Sequence, residues 1–409
     1  MKPISLRFSD INGTLKEVLV SEEKFKNSKD VGIWFDGSSI QGLVRRYESD
    51  MRLKPDEDSK FKLNGMDVHF CDVYQKDVPY DGDPRYILKR VVAEVEKLGY
   101  KPCAAGELEF YSIKDSQTLD KGSYLDVSPK DKAHQVKLKV VEKLSDANIQ
   151  WDVGHHECGP GQNEIDIKYD DILKTADKIL FSKNVIKLVA EEEGLTATFM
   201  PKPFTGLAGN GMHLHMSLWD ISKRENLFYD ANDKYNLSDV GKFFIGGIFE
   251  HAKAITAVTN PTVNSYKRLG EFEAPRYVYW GRKNRDALIR VPEVVSPSST
   301  RIEYRSPDPS TNPYLAFAVL LKAGIDGVRR KVKPTEPIED DIYENGRYKT
   351  LDSLPSTLEE ALKALEKDKL VKETLKQAYK EFVSLKQAEW KEFVTRKVTD
   401  WEVERYFDV

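Results

Sequence analysis

Cysteine is scarce in this chain: Cys71, Cys103 and Cys158 are the only three among 409 residues, and none shares a Cys-x-x-Cys spacing. That excludes a disulfide framework or a zinc ribbon and predicts a reduced, cytoplasmic setting. Long apolar runs are missing too. The longest, "YLAFAVLL" from Tyr314, falls well short of the roughly 20 residues a membrane helix needs. The opening "MKPISLRFSD" has no apolar stretch of the signal-peptide kind. Neither a Gly-, Ser- or Pro-rich tract nor an internal repeat is present. An excess of positive charge is absent as well: the net charge of −4 argues against a nucleic-acid surface, so the expected partners include neither nucleic acid nor membrane. What remains, 40% hydrophobic and 32% charged residues, is an ordinary globular composition, in a chain long enough for two or three domains or for one large domain with a smaller companion.

Residues 1–85 read as short strands, "LRFSDI", "EVLV", "GIWFDGSS" and "DVHFCDVY", separated by Gly, Asp and Asn turns, which predicts a small β-rich N-terminal domain. "DGDPR" marks its end. Pro84 then opens a helix whose apolar positions Ile87, Leu88, Val91, Val92, Val95 and Leu98 keep helical spacing up to Gly99. Residues 86–409 predict a strand at "AAGELEFYSI", a helix before "IQWDVGHHE", a helix from Ile172 to Gly194, and strands at "TATFMPKP" and "MHLHMSLW". A helix after Pro313 and a mostly helical C-terminal region follow, where "PSTLEEALKAL" offers Ser356 or Thr357 for a capping box. The fold class is α+β, with a small domain before one large domain.

Four stretches concentrate the chemistry: Glu107 and Glu109 in "GELEF", "HHECGPGQNE" from His155 to Glu164, "GMHLHMSLW" from Gly211, and "RIEYRSPDP" from Arg301. Alternate residues of a strand share a face, so Glu107 with Glu109, His213 with His215, and Arg301 with Glu303 and Arg305 can each present paired groups to one cavity. Several carboxylates with an imidazole suit hard divalent cations, and arginines suit phosphate or carboxylate oxygens. Each pair alone has a plainer reading. Glu107 and Glu109 could be a solvated strand face, His213 and His215 core histidines, Arg301 and Arg305 surface charge, and Asp36 a turn former before glycine.

Taken together, the stretches resemble a family. "FDGSSIQG", "ESDMRLKPD", "GELEF", "HHECGPGQNEID", "ATFMPKPF", "GMHLHMSLW", "NPTVNSYKRL", "EAPRYVYWGRKNRDALIRVP", "RIEYRSPDPSTNPYLAFA" and "DWEVERY" stand in the order of the glutamine synthetases of the prokaryotic type I class. The resemblance covers nearly the whole chain. It implies a β-grasp-like N-terminal domain that contributes to the neighbouring subunit's active site, and a catalytic domain with a curved antiparallel sheet flanked by helices. It implies an ATP-dependent ligase that joins L-glutamate and ammonia through γ-glutamyl phosphate, in a homo-oligomer of two hexameric rings. Two or more cations per site, Mg²⁺ or alternatively Mn²⁺, are implied, one at Glu109, Glu157 and Glu164 and the other at Glu107, His213 and Glu303. Arg285, Arg290 and Arg301 match positions at the nucleotide phosphates, with Asp152, His215 and Ser217 at further ATP contacts. Arg268, Arg305, Arg285, Tyr124 and Gly209 match substrate-binding positions. Asp36 matches the base that takes a proton from ammonium, and Glu273 the flap residue that closes over the acyl phosphate.

Two loops depart from the pattern. In "GLAGNGMH" Ala208 stands where the family writes asparagine, and Asn210 two residues on can replace that amide only if the backbone is rearranged, because at that spacing its side chain projects elsewhere. "RLGEFEAP" has one residue fewer than the family between Arg268 and Glu273, and it adds Glu271. Such loops choose substrates, so two rival readings follow: a γ-glutamyl-amine ligase taking an organic amine, and a non-catalytic relative acting as a regulator.

Overall fold

The computed structural model describes residues 2–43 and 50–409. In the N-terminal region, β1 (Pro3–Ser9) and β2 (Leu15–Ser21) form an antiparallel pair. The short helix α1 (Glu22–Ser28) follows, capped by the Ser21 side chain, which accepts from the Lys24 N–H. Strands β3 (Ile33–Asp36), β4 (Asp50–Leu63), β5 (Met66–Gln75) and β6 (Val78–Pro79) complete a sheet ordered β2-β1-β5-β4-β3, with β6 beside β5. β1 and β5 run parallel, giving the sheet the β-grasp character expected for it. Two of its elements depart from the sequence reading. α1 buries none of its side chains, so its sequence carries no apolar period. β4 has its register broken between Pro55 and Lys60, and this bulge puts the turn-like "DEDS" inside a strand. Glu48 and Ser49 of the "ESDMRLKPD" stretch lie outside the described residues.

Helix α2 (Pro84–Glu96) begins as expected: Asp83 accepts from the Arg85 N–H and Pro84 occupies the first turn. Beyond it, β7 (Tyr100–Lys114) and the short β8 (Gln117–Thr118) precede α3 (His134–Asp146). Strands β9 (Trp151–His156) and β10 (Gln162–Asp171), helix α4 (Ile172–Glu192), and strands β11 (Thr196–Thr198) and β12 (Leu214–Asp220) come next. After α5 (Asp239–Thr259) lie three short strands, β13 (Trp280–Gly281), β14 (Ile289–Arg290) and β15 (Ile302–Tyr304). They build a sheet ordered β13-β14-β15-β12-β7-β10-β9, antiparallel except for β13 with β14. α6 (Pro313–Arg330) follows with Asn312 as its cap. The C-terminal region is helical as expected: α7 (Leu358–Lys367), α8 (Lys369–Leu375), α9 (Ala378–Arg396) and α10 (Asp400–Tyr406). At the start of α7 the Thr357 side chain accepts from Glu360, but the Glu360 carboxylate takes the Ser356 N–H, so the capping box spreads over two residues.

The two faces of this sheet differ because strand side chains alternate. Leu108, Phe110, Ile165, Ile167, Leu214, Met216, Ile302 and Tyr304 are all buried in the main core. Gly106 permits α4 to pack there: a Cβ at that position would come within 2.8 Å of Ile179 Cδ1. The opposite face carries the carboxylates and imidazoles. The small sheet joins the same core through Phe61, Val68 and Phe70, with the Phe61 ring tilted against Phe181 of α4, their centroids 4.8 Å apart. Beside that contact the buried Arg85 guanidinium meets Asp56, Asp72 and Asp177, which ties α2, the small sheet and α4 together. Among the described residues no helix is long and apolar enough to cross a membrane.

Candidate active site

Strand register assembles the site. Glu109 pairs with Glu164 and Glu107 with Asp166 across β7 and β10, and His155 of β9 pairs with Glu164. On the other side of β7, His215 pairs with Ala105 in one direction and with Glu303 of β15 in the other. Directly paired residues share a face, so these strands project Glu107, Glu109, Glu164, Asp166, His155, His215 and Glu303 the same way. His213 precedes β12, yet its carbonyl still accepts from the Glu107 N–H. Its ring therefore joins the row.

The side chains converge in two groups. His213 Nδ1 lies 2.6 Å from Glu107 Oε2 and 3.6 Å from Glu303 Oε1, while His215 Nε2 lies 2.7 Å from Glu107 Oε1. On the other flank His155 Nε2 is 3.3 Å from Glu164 and its Nδ1 is 3.7 Å from Glu157. Glu107, His215 and Glu303 offer ligand atoms all within 4.8 Å of one another, and so do His155, Glu157 and Glu164. Glu109 sits between the groups, 3.9 Å from His213 Nε2, and accepts from the Gly211 N–H at 2.8 Å.

Electrostatics divide the carboxylates. Burial works to raise Glu107, but the adjacent His215 and His213 rings outweigh it and hold the carboxyl well below its usual range. Glu303 is also lowered against its burial, chiefly by Arg305. Its two oxygens are taken by Arg305 and Arg290. Glu164 is pushed well above its usual value by burial and then by Glu107 and Glu109. Burial and Glu109 raise Glu157, and burial with Glu107 pushes Asp166 up to about 7. Among the described residues no lysine or arginine forms an ion pair with Glu109, Glu157 or Glu164. A buried acid cluster short of protein cations, built of carboxylate oxygens with imidazole, has the donor chemistry of a hard divalent cation.

Asp152, His215, Ser217 and Arg301 line a cavity of about 330 Å³ beside Glu107, as a shared ligand pocket requires. Arg301 donates through Nε to His215 Nδ1 at 3.1 Å. Arg290 turns instead to Glu303, and Arg305 donates to Glu303 and, at 2.8 Å, to the Arg285 carbonyl. Arg268 is 3% exposed and donates to the carbonyls of Ser306 and Pro307 at 2.8 and 3.3 Å, so it braces the segment after β15. Arg285 and Glu273 are exposed and stand 4.0 Å apart. Tyr124, also exposed, sets its ring edge-on to His155 at 5.3 Å. Gly209 is wedged between the Pro201 carbonyl and the Arg268 side chain, which a Cβ there would meet at 2.5 and 2.8 Å. Asp36 stays apart from the cluster within the chain: its carboxylate accepts from Ser38 and Ser39 at the end of β3.

Asn210 does not replace the missing amide at Ala208, and its side chain projects elsewhere as its spacing requires. Asn210 is fully buried, donates to the Thr198 and Met200 carbonyls, and accepts from Gln162. The strand expected over "TATFMPKP" shrinks to Thr196–Thr198, because the two prolines cannot supply ladder N–H groups. Sequence reading passed over Gln162, a buried amide whose Nε2 reaches Glu109 Oε2, the Gly209 carbonyl and Asn210 Oδ1 at 3.1 to 3.2 Å. It also passed over Asp166. Their signal was available in the two-residue alternation Gln162, Glu164, Asp166 along β10.

Comparison with known proteins agrees with this geometry. The family model "Glutamine synthetase, beta-Grasp domain" matches residues 1–76. "Glutamine synthetase, catalytic domain" matches residues 81–406. Glutamine synthetase of Pyrococcus furiosus is 45% identical over 430 aligned residues, covering 100% of this chain and 97% of the relative. That of Thermotoga maritima is 45% identical over 423, covering 98% and 95%. Among solved structures, a GmaS complex with ADP superposes with a TM-score of 0.93 at 32% identity, covering 100% of this chain and 97% of the other. A Plasmodium falciparum glutamine synthetase superposes at 0.87 with 26% identity, covering 99% and 95%. With both of its sheets matched and its acidic strand face held in register, the chain belongs to the glutamine synthetase family.

Proposed function

We propose that this protein forms L-glutamine from L-glutamate, ammonia and ATP. It is an ATP-dependent ligase. The observation that carries the reading is the strand register that gathers Glu107, Glu109, Glu164, His213, His215 and Glu303 on one face. The γ-carboxylate of glutamate attacks the γ-phosphorus of ATP, ADP leaves, and γ-glutamyl phosphate forms. Ammonia then attacks the acyl carbon, phosphate leaves with the bonding electrons and takes up a proton lost from the nitrogen, and the amide remains.

Two anions must meet in the first step, so the site needs positive charge. Glu109, Glu157 and Glu164 would hold one divalent cation, and Glu107, His213 and Glu303 another. Bound Mg²⁺, or Mn²⁺, would neutralise phosphate and carboxylate oxygens there. Arg301 joins Asp152, His215 and Ser217 in the pocket that would take the nucleotide, consistent with the ADP held by the similar GmaS. Arg285 and Arg290 would face the phosphates, Arg290 by exchanging Glu303 for a phosphate oxygen. Arg305 and Arg268 would meet the glutamate, with Tyr124 and Gly209 beside it, and Arg305 would also stabilise the transferred phosphoryl group.

Ammonium must lose a proton before it can attack. Asp36, whose carboxylate ends β3 and is held in place by hydrogen bonds from Ser38 and Ser39, would accept that proton in the site of an adjacent subunit. That role requires an oligomer, read here as a cytoplasmic dodecamer of two hexameric rings, with residues 1–85 contributing to the neighbour and residues 86–409 carrying the catalytic face. Glu273 would cover the acyl phosphate and keep water from it.

The test is a product-mass assay with ATP, glutamate and Mg²⁺, offering ammonium or an organic amine. The expected outcome is glutamine, ADP and phosphate in equal amounts from ammonium. Amide formation from the organic amine alone, or ATP binding with no product, would overturn the reading.

A further inference from the structure

We infer that Lys202 is a positioning residue that latches the 268–274 turn to the loop carrying Ala208, and thereby sets where Glu273 stands. The inference rests on the reading of Glu273 as the cover of the acyl phosphate.

Lys202 lies in "MPKP", just past β11, and only 9% of it is exposed. A lysine this buried is uncommon unless its ammonium is paired. Its three donors have three directions to go. One bonds the Leu207 carbonyl at 2.7 Å, the residue before Ala208. Another faces Glu271 Oε2 at 3.5 Å. The ammonium also lies 4.8 Å from the centre of the Phe272 ring, within cation–π range. Glu271 and Phe272 immediately precede Glu273. One cation thus touches both loops that depart from the family's pattern.

The anchor beneath this cation is rigid. The Lys202 N–H donates to Asn264 Oδ1 at 2.7 Å, and Asn264 Nδ2 returns a bond to the Lys202 carbonyl at 3.1 Å. Asn264 begins the short helical turn that runs into Arg268, whose guanidinium is buried against Ser306 and Pro307. Both ends of the latch are therefore fixed to the scaffold, while the turn between them projects: Glu271, Phe272 and Glu273 are each more than half exposed. Apart from Lys202 and the 4.0 Å approach of the exposed Arg285 to Glu273, backbone bonds hold it, from Glu271 to Arg268, Gly270 to Ala274 and Ala274 to Glu271. Phe272 adopts φ +54°, a left-handed conformation that disfavours a bulky side chain. Its ring contact with Lys202 offsets that cost and fixes the direction in which the next residue points. The shortened flap has lost a residue of reach and has a cation beneath it.

Amide hydrogen exchange on the full-length protein tests this without reference to activity. In Lys202→Met, the amides of Gly270, Glu271 and Ala274 should exchange about tenfold faster, with α6 unchanged and with Lys202→Arg returning most of the protection. Phe272→Leu, which leaves the buried lysine in place, should speed the same amides by about threefold and add nothing to Lys202→Met. The second readout is phosphate released per glutamine formed, near one in the native protein and raised about threefold or more in Lys202→Met. Unchanged exchange in the turn, or acceleration spread evenly over the molecule, overturns the latch. Should the native protein make no glutamine while the turn responds as described, the latch stands and the assignment of function falls.

Discussion

Two of the buried acid clusters among the described residues are built on opposite rules. Around Arg85, the carboxylates of Asp56, Asp72 and Asp177 meet the guanidinium directly, Lys89 adds a second cation, and the Ser59 and Tyr314 hydroxyls donate to Asp177. Asp56 is drawn down to about 2: burial would raise it, but Arg85 and Lys89 prevail. On the sheet face, Glu109, Glu157 and Glu164 have imidazoles for neighbours instead, and Glu164 and Glu157 are pushed up. A structural cluster supplies its own counter-charge. The flank of the sheet face that holds Glu157 and Glu164 leaves its acids raised and without a lysine or arginine, and so is arranged for charge arriving from outside, whereas Glu107 and Glu303 beside it are lowered by the imidazoles and by Arg305.

Breaking the scaffold cluster should have the largest effect. Arg85→Met leaves Asp177, wholly buried on α4, without its cation, and should destabilise the protein by about 3–5 kcal/mol in denaturant unfolding. A loss below about 1 kcal/mol would mean that water reaches these aspartates and that the contrast with the site is false.

The pH dependence of stability sharpens the comparison, because Asp56 of the scaffold and the raised acids of the sheet face have opposite signs. Asp56, lowered in the fold, contributes stability that is present above its unfolded value of about 4 and lost as pH falls through about 2. Glu157, Glu164 and Asp166 are raised. Their contribution is present below about 4 and lost as pH rises, through about 7 for Asp166. In chelator, Asp166 alone should therefore lower thermal or denaturant stability by about 3 kcal/mol between pH 5 and pH 8, with Glu157 and Glu164 adding in the same direction. Asp83, the cap of α2, is pushed up to about 7 by burial and adds to the same slope, but it lies in the scaffold. Millimolar Mg²⁺ or Mn²⁺ should thus restore the site's share at pH 8 and leave the rest. A profile that added cation does not move would show that the sheet face is not a cation site.

Much of this contrast could be read before folding. The alternation in "GELEF", "GMHLHMS" and "RIEYR" placed the acids and imidazoles on one face because a strand's period is fixed by covalent geometry. Helices α2, α4 and α6 were equally legible from apolar spacing and from Pro84 and Pro313 at their first turns. What escaped depends on partners distant in sequence. The bulge in β4 carries Asp56 to Arg85, 29 residues on. Gln162 matters because β7 and the 209–211 loop come to it, and Lys202 because a loop 69 residues on turns back over it, as its contact with Glu271 shows. Asp36 finds no place in the cluster of its own chain.

The smallest expected effect concerns Ala208. The Tyr111 hydroxyl donates to the Ala208 carbonyl at 2.8 Å, and Gln162 donates to the next carbonyl at 3.1 Å, so the backbone that would present a side chain at 208 is already fixed. Asn210 cannot act for it, since both ends of its amide are bonded within the scaffold. The loop therefore offers substrate one amide fewer than the family pattern provides. Ala208→Asn should restore one hydrogen bond, typically about 0.5–1.5 kcal/mol, and lower KM for glutamate by about two- to tenfold while KM for ATP stays constant. If KM for glutamate does not move, the shortened flap has closed over the position that amide would fill, and the two departures from the family's pattern are one adaptation.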